Sequence, residues 1–247
     1  MDGMTFYFTH LKELLDDVLN TQSEAINKAA DCFFATMRDG GRLFAFGCTH
    51  AGMITQEMFY RTGGMATINP IFPPGLNCEV SPITLSSHME RLPEYGKCIA
   101  QKSGIRAGDA LLIHSVSGRN TVGVDMAMEA KALGCKTIAL TNLNYSNAVT
   151  SRHPSGKRLF EVCDIVIDNR GCYGDASVKL DGFEEAVAST STIIGSSIVN
   201  ALAIKVLEKC IEANYPPPFF VSSNTDRGDS YNKALFERFK DQILYQP

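Results

Sequence analysis

The sequence lacks most features that would take it outside an ordinary globular enzyme or binding protein. No stretch rich in proline, glycine and serine is long enough to separate two domains, so residues 1–247 are expected to form one unit with a large core. Within that unit, 1–40 reads as an N-terminal helical region, 41–215 as a sheet-and-helix core, and 216–247 as a C-terminal loop and helix. There is no basic excess: 23 Lys and Arg stand against 27 Asp and Glu, a net charge of -4, which argues against nucleic acid as a partner. Met1 to Glu13 lacks the basic start and apolar centre of a secretory signal, so a cytoplasmic location is expected. No apolar run is long enough for a membrane span of ~20 residues. The nearest, Ile193 to Leu207, is interrupted by Ser196, Ser197, Asn200 and Lys205 and reads as a core helix. No C-x-x-C pair occurs among the 8 cysteines, so neither a zinc site nor a disulfide framework is suggested. Most of them read as small core residues, and Cys48 stands apart because of its loop. The H-E-x-x-H spacing is also missing, and neither a metal nor a cofactor is expected.

What is present is an alternation of helical and strand patterns. Phe8, Leu11, Leu15, Val18, Ile26, Ala29, Phe33 and Met37 recur at helical spacing, predicting helix over 5–38, with a break near Asn20 where Thr21 and Glu24 fit a capping box. Short apolar runs then predict strands at 42–46, 65–71, 110–114, 136–140 and 163–167. Helical segments are expected between them at 53–61, 95–102 and 121–133, and a short C-terminal helix from Tyr231. This order implies an α/β fold: a three-layer α/β/α, doubly wound, mainly five-stranded parallel sheet. Ligands of such sheets bind beyond the carboxyl ends of the strands.

Two strand-to-helix loops are therefore the candidate chemistry. The loop after the third strand, Ser115-Val-Ser117-Gly118-Arg119-Asn120-Thr121, offers free backbone N–H groups, the positive end of a helix dipole and three hydroxyls. On its residues alone it reads either as a seat for a phosphate monoester or as an ordinary helix cap. The loop after the first strand, Gly47-Cys48-Thr49-His50-Ala51-Gly52, is no dinucleotide fingerprint, because Thr49 stands where G-x-G-x-x-G needs glycine. His50 there reads either as a proton shuttle or as a helix cap.

Gly47-x-Thr49-His50, Ser115-x-Ser117-Gly118-x-Asn120 and Ala127 to Thr141 together resemble the SIS (sugar isomerase, flavodoxin-like) domain of phosphosugar isomerases and sugar-phosphate-sensing regulators. Ser151-Arg-His153-Pro-Ser155-Gly156-Lys157, Ser191-Thr192 and Pro217-Pro218-Phe-Phe-Val-Ser222-Ser-Asn224-x-Asp226 are similar to a narrower group of bacterial SIS proteins, the UPF0309 type. The resemblance implies a phosphate held by Ser115, Ser117, Gly118, Asn120 and Thr121, with further contacts from Ser191 and Thr192 at a second helix start. It also implies sugar contacts from Gly47, Thr49 and His88. Isomerisation through an enediolate needs a base and an acid. Glu90, at a position where the narrower group has a glutamate, is the implied base, with Glu185 a second candidate and His50 the acid.

The implied activity is aldose–ketose isomerisation of a sugar phosphate. A lyase that expels a C3 substituent and a non-catalytic sugar-phosphate sensor stand as alternatives. The long N-terminal helix suits a homodimer or dimer of dimers, and the expected partner beyond that is a phosphorylated small molecule.

Overall fold

The computed structural model describes residues 2–246. Its first element, α1 (Gly3–Arg38), has 36 residues and extends about 54 Å at 1.5 Å per residue. Asp2 caps it, accepting from the N–H groups of Met4 and Thr5 at 3.1 Å each and setting a negative charge at the positive end of the helix. Leu11, Leu14, Val18, Ile26, Ala29, Phe33 and Met37 are buried at the three- and four-residue spacing of one helix face. The break expected near Asn20 does not occur. Thr21 donates its hydroxyl to the carbonyl of Asp17 at 2.7 Å, and Glu24 pairs with Lys28 at 2.6 Å, so both are satisfied inside a continuous helix rather than capping a new one.

The chain then alternates: β1 (Leu43–Gly47), α2 (Gly52–Met58), β2 (Ile68–Ile71), α3 (Thr84–Met89), α4 (Tyr95–Lys102), β3 (Ala110–His114), α5 (Thr121–Ala132), β4 (Lys136–Thr141), α6 (Leu143–Asn147) and β5 (Ile165–Asp168). The five strands form one parallel sheet in the order β2-β1-β3-β4-β5. Successive residues of β1 serve opposite faces. Leu43 and Ala45 join α1 and α7 (Ser191–Glu212) in one core, whereas Phe44 and Phe46 join Ile99 of α4 and Val122 and Met126 of α5 in the other. This is the three-layer architecture read from the sequence.

Beneath the amino ends of the strands, Asp109 is fully buried. Its carboxylate accepts from the Arg42 N–H at 2.8 Å, the Arg42 guanidinium at 3.1 Å and the Arg106 N–H at 2.9 Å. Strand β2 is shorter than the 65–71 expected. Met65 instead pairs antiparallel with Phe219, and the Ala66 N–H donates to Pro218 at 2.7 Å. The C-terminal helix α8 (Gly228–Phe239) begins before Tyr231, and in the tail behind it Gln242 donates to the carbonyls of Met37 and Gly41 at 2.7 and 2.8 Å, while Asn69 of edge strand β2 donates to the Gln242 carbonyl at 2.9 Å and accepts from the Leu244 N–H at 2.7 Å. Three elements were not expected: the short helices α3 and α6, and an antiparallel hairpin of β6 (Ala176–Leu180) and β7 (Phe183–Ser189) immediately before α7. Among the described residues, no helix is long and apolar enough to cross a membrane.

The strand order fixes where a ligand belongs. From β1 the chain moves outward to β2 and then returns to place β3 on the opposite side of β1, so the connections diverge above the carboxyl ends of β1 and β3. A crevice opens at such a switch point.

Candidate functional site

A cavity of about 180 Å³ lies at this switch point, bounded by the loops after β1 and β3, by Glu90 at the end of α3, and by Asp175 and Ser191. Of the residues singled out in the sequence, Thr49, His50, Glu90, Ser115, Ser117, Asn120 and Ser191 line it. Gly47, His88, Gly118, Thr121, Glu185 and Thr192 do not.

The loop after β3 is organised from behind. The carbonyls of Ser115 and Val116 accept from the Thr141 hydroxyl at 2.7 and 3.1 Å, that of Ser117 from Ser146 Oγ at 2.9 Å, and that of Gly118 from the Leu159 N–H at 2.8 Å. Gly118 permits this turn, with φ +59° and Ser146, Thr141 and Leu159 packed where a Cβ would sit. Among the described residues, the hydroxyls of Ser115 and Ser117 and the N–H groups of Ser117, Gly118, Arg119 and Asn120 have no hydrogen-bond partner. The loop's acceptors are consumed and its donors are left free at the start of the 12-residue helix α5. That is the electrostatic signature of an anion seat. Thr121 is the exception: it is buried, with its hydroxyl 3.4 Å from the Arg152 carbonyl.

Glu90 is half-buried, and its backbone carbonyl accepts from the Val122 N–H at 3.2 Å, which ties α3 to the first turn of α5. Burial raises its carboxyl above the ordinary range, opposed by a hydrogen bond from Asn120 and by the charges of Arg91 and Arg152. Asn120 is oriented for this contact because its Oδ1 accepts from Arg152 at 2.8 Å. Cys48 lies beside Glu90, and desolvation and then the carboxylate's charge both push its thiol up, so it is a neutral thiol rather than a nucleophile. Thr49 holds a left-handed φ of +52°, and its N–H donates to the Leu76 carbonyl at 2.6 Å. His50 follows it, exposed at the mouth.

The second helix start is occupied. The Asp175 carboxylate accepts from the Ser191 N–H at 2.9 Å, the Ser191 hydroxyl at 2.6 Å and the Thr190 N–H at 3.2 Å. An anion expected at Ser191 and Thr192 meets a carboxylate already filling that place. Glu185 stands on solvent-exposed β7, because 176–189 folds as a hairpin rather than as a lead into the helix. His88 is exposed on α3, away from the cavity. Gly47 is needed for close approach, since a side chain there would collide with the carbonyl of Ala51.

Two cavity residues escaped the sequence reading. His114, the last residue of β3, is buried. Its Nδ1 lies 3.0 Å from the Ala51 carbonyl, which only accepts, so Nδ1 carries the proton and Nε2 is a bare acceptor with no partner among the described residues. Burial pushes its pKa down to about 4, keeping the ring neutral. Its signal was a lone histidine ending an otherwise apolar strand. Asp175 had no local signal, because its role comes from a turn that packs 16 residues away in sequence on Ser191. Among the described residues, no group of three or more His, Cys, Asp or Glu is arranged to hold a metal ion.

Residues 6–142 match the SIS domain. A UPF0309 protein from Shouchella clausii is 47% identical over 239 residues, covering 97% of both chains. The chain belongs to the SIS family, within its UPF0309 group. Among solved structures it is similar to a phosphoheptose isomerase from Francisella tularensis (TM-score 0.53, 21% identity, covering 82% of this chain and 95% of that one). It is also similar to the Vibrio vulnificus NanR protein complexed with ManNAc-6P (TM-score 0.52, 12% identity, covering 96% of this chain and 70% of that one). At these identities both likenesses concern the SIS fold.

Proposed function

We propose that this cavity binds a phosphorylated sugar and isomerises it between aldose and ketose. The observation that carries the reading is the loop 115–120, whose carbonyls are all engaged from behind while its hydroxyls and N–H groups stay free at a helix start. The phosphate sits on Ser115, Ser117 and the amides leading to Asn120. The sugar extends toward Glu90, Thr49 and His50, with His114 Nε2 accepting from one of its hydroxyls.

Glu90 takes the proton from C2 of the aldose and delivers it to C1 of the enediolate, while His50 at the mouth gives a proton to O1 and takes the one lost from the O2 hydroxyl. Half-burial suits this task, because a carboxylate held above its ordinary pKa is a stronger base when ionised. Two proteins of similar fold, a phosphoheptose isomerase and a protein complexed with ManNAc-6P, support a sugar-phosphate ligand.

We also propose that the chain works as a homodimer. Met4, Phe6 and Phe8 on α1 and Leu180, Phe183 and Val187 on the hairpin are exposed, and the hairpin packs against α1 through Tyr7, whose hydroxyl donates to the Ser189 carbonyl at 2.6 Å. A second copy would cover this apolar face.

The test is exchange in D2O. A turned-over sugar phosphate gains deuterium at C1 or C2 with the wild-type protein and not with Glu90→Gln. Tight binding without exchange in the wild type would move the reading from isomerase to sensor.

A further inference from the structure

Six of the 11 arginines have a carboxylate within 4 Å: Arg38, Arg42, Arg61, Arg106, Arg158 and Arg170. Among the described residues, Arg91, Arg119, Arg152, Arg227 and Arg238 have none, and the first three adjoin residues that line the cavity. Arg91 adjoins Glu90 and Arg119 adjoins Asn120, both of which line it. Arg152 donates to Asn120 Oδ1 at 2.8 Å, and its own N–H donates to the Arg119 carbonyl at 2.8 Å.

Arg119 and Arg152 are held in place although no carboxylate pairs with them. Arg119 donates to the Thr150 carbonyl at 3.0 Å. The loop bearing Arg152 is pinned to α5 by His153, whose Nε2 lies 2.8 Å from Asp125 Oδ1, and is closed on itself by Ser151, which donates to the Lys157 carbonyl at 2.6 Å. Desolvation and then the repulsion of Arg119 and Arg91 lower the Arg152 pKa, against the attraction of Glu90, so the three guanidinium groups lie close enough to feel one another. In a chain of net charge -4, a cluster of three cations beside one opening is an arrangement that an anion relieves.

We infer that Arg91, Arg119 and Arg152 form a second anion subsite at the cavity mouth, so that the ligand is a sugar phosphate carrying a further acidic group, a carboxylate or a second phosphate. The inference rests on the proposed seating of the first phosphate at Ser115 and Ser117, whose own donors leave the arginines unused. Guanidinium groups suit this role through paired, charge-assisted hydrogen bonds to planar or tetrahedral oxyanions.

Calorimetric titration with matched ligands at low ionic strength tests it: glucose 6-phosphate against 6-phosphogluconate and fructose 1,6-bisphosphate, on wild type, R91Q, R119Q, R152Q and S117A. The doubly acidic ligands are expected to bind about tenfold or more tightly than the monophosphate, the size of one charge-assisted contact. R91Q, which deletes a guanidinium that makes no contact with the serine loop among the described residues, removes that preference while changing glucose 6-phosphate affinity less than about twofold, well under one such contact. S117A weakens all three ligands. Equal affinity of the three for the wild type overturns the second subsite and leaves the first phosphate seat standing. So does an equal fold-loss of mono- and diacid binding in the arginine variants, which would put the arginines on the first phosphate. Absence of binding by any of the three ligands, with none gained at higher concentration, overturns the phosphate seat and the subsite with it.

Discussion

Replacing Thr141 by valine probes the machinery that leaves the phosphate seat's donors free. Thr141 is fully buried at the end of β4. Its hydroxyl lies 2.7 Å from the Ser115 carbonyl, 3.1 Å from that of Val116 and 3.1 Å from Ser146 Oγ. Valine keeps the shape and deletes the hydroxyl. The Val116 carbonyl retains its bond from the Asn142 N–H at 3.0 Å, whereas the Ser115 carbonyl loses its side-chain donor. One buried acceptor left without a partner costs ~1–3 kcal/mol. At about 2–4 °C per kcal/mol for a chain of this size, the melting temperature falls by roughly 2–12 °C. The loop loses the bond that holds Ser115 in place, so affinity for a sugar phosphate falls about tenfold, ~1.4 kcal/mol, within the same penalty. Thermal melts and calorimetric titration of Thr141→Val beside Thr141→Ser provide the assay, with the serine variant recovering binding. If Thr141→Val melts lower yet binds as tightly as wild type, the seat does not depend on this anchoring and the reasoning fails.

Three further outcomes follow from the same geometry. Gly118→Ala is expected to lose ~1–2 kcal/mol from its left-handed φ alone, with weakened phosphate binding, and an unchanged denaturation midpoint would contradict the assigned turn. Glu90 is held above its ordinary pKa, so its contribution is fully present below the unfolded value and is lost as pH rises through the folded one. Glu90→Gln should therefore melt at or above wild type at pH 8, with the gap closing toward pH 4, and a variant less stable at pH 8 would refute burial as the dominant cause. His114 has the opposite sign: its folded pKa of about 4 lies below the ordinary imidazole value of 6.5, so stability is lost as pH falls from 6.5 toward 4. His114→Gln should flatten that part of the stability profile, measured by denaturant melts across the range.

The sheet was legible because its strands are buried on both faces and read as short apolar runs, as at 110–114. Alternation with helices then fixed the parallel order, and the switch point located the site before any side chain was placed. Where tertiary contacts overrode local pattern, the reading departed. Thr21 and Glu24 look like a capping box, but the buried stripe carries α1 straight through them. Met65 has a strand's composition but is taken by Phe219. In the hairpin, β7 is exposed along nearly its whole length and β6 buries only Val178, so no sustained two-residue alternation is there to detect.

The same contrast holds within the site. The serine loop and Glu90 are visible as local segments. Asp175 at the start of α7 and the arginine rim arise from residues far apart in sequence, and no spacing announces them.

The most direct test of the central claim is isothermal titration of a panel of sugar monophosphates against the same sugars without phosphate, on wild type and Ser117→Ala. The account predicts saturable binding of at least one phosphorylated sugar, none of its unphosphorylated partner, and a loss of about tenfold or more in Ser117→Ala, as expected when a hydrogen bond to a charged group is removed. Equal binding of phosphorylated and unphosphorylated sugars, or a Ser117→Ala protein that binds as wild type does, would contradict the claim that loop 115–120 seats the phosphate.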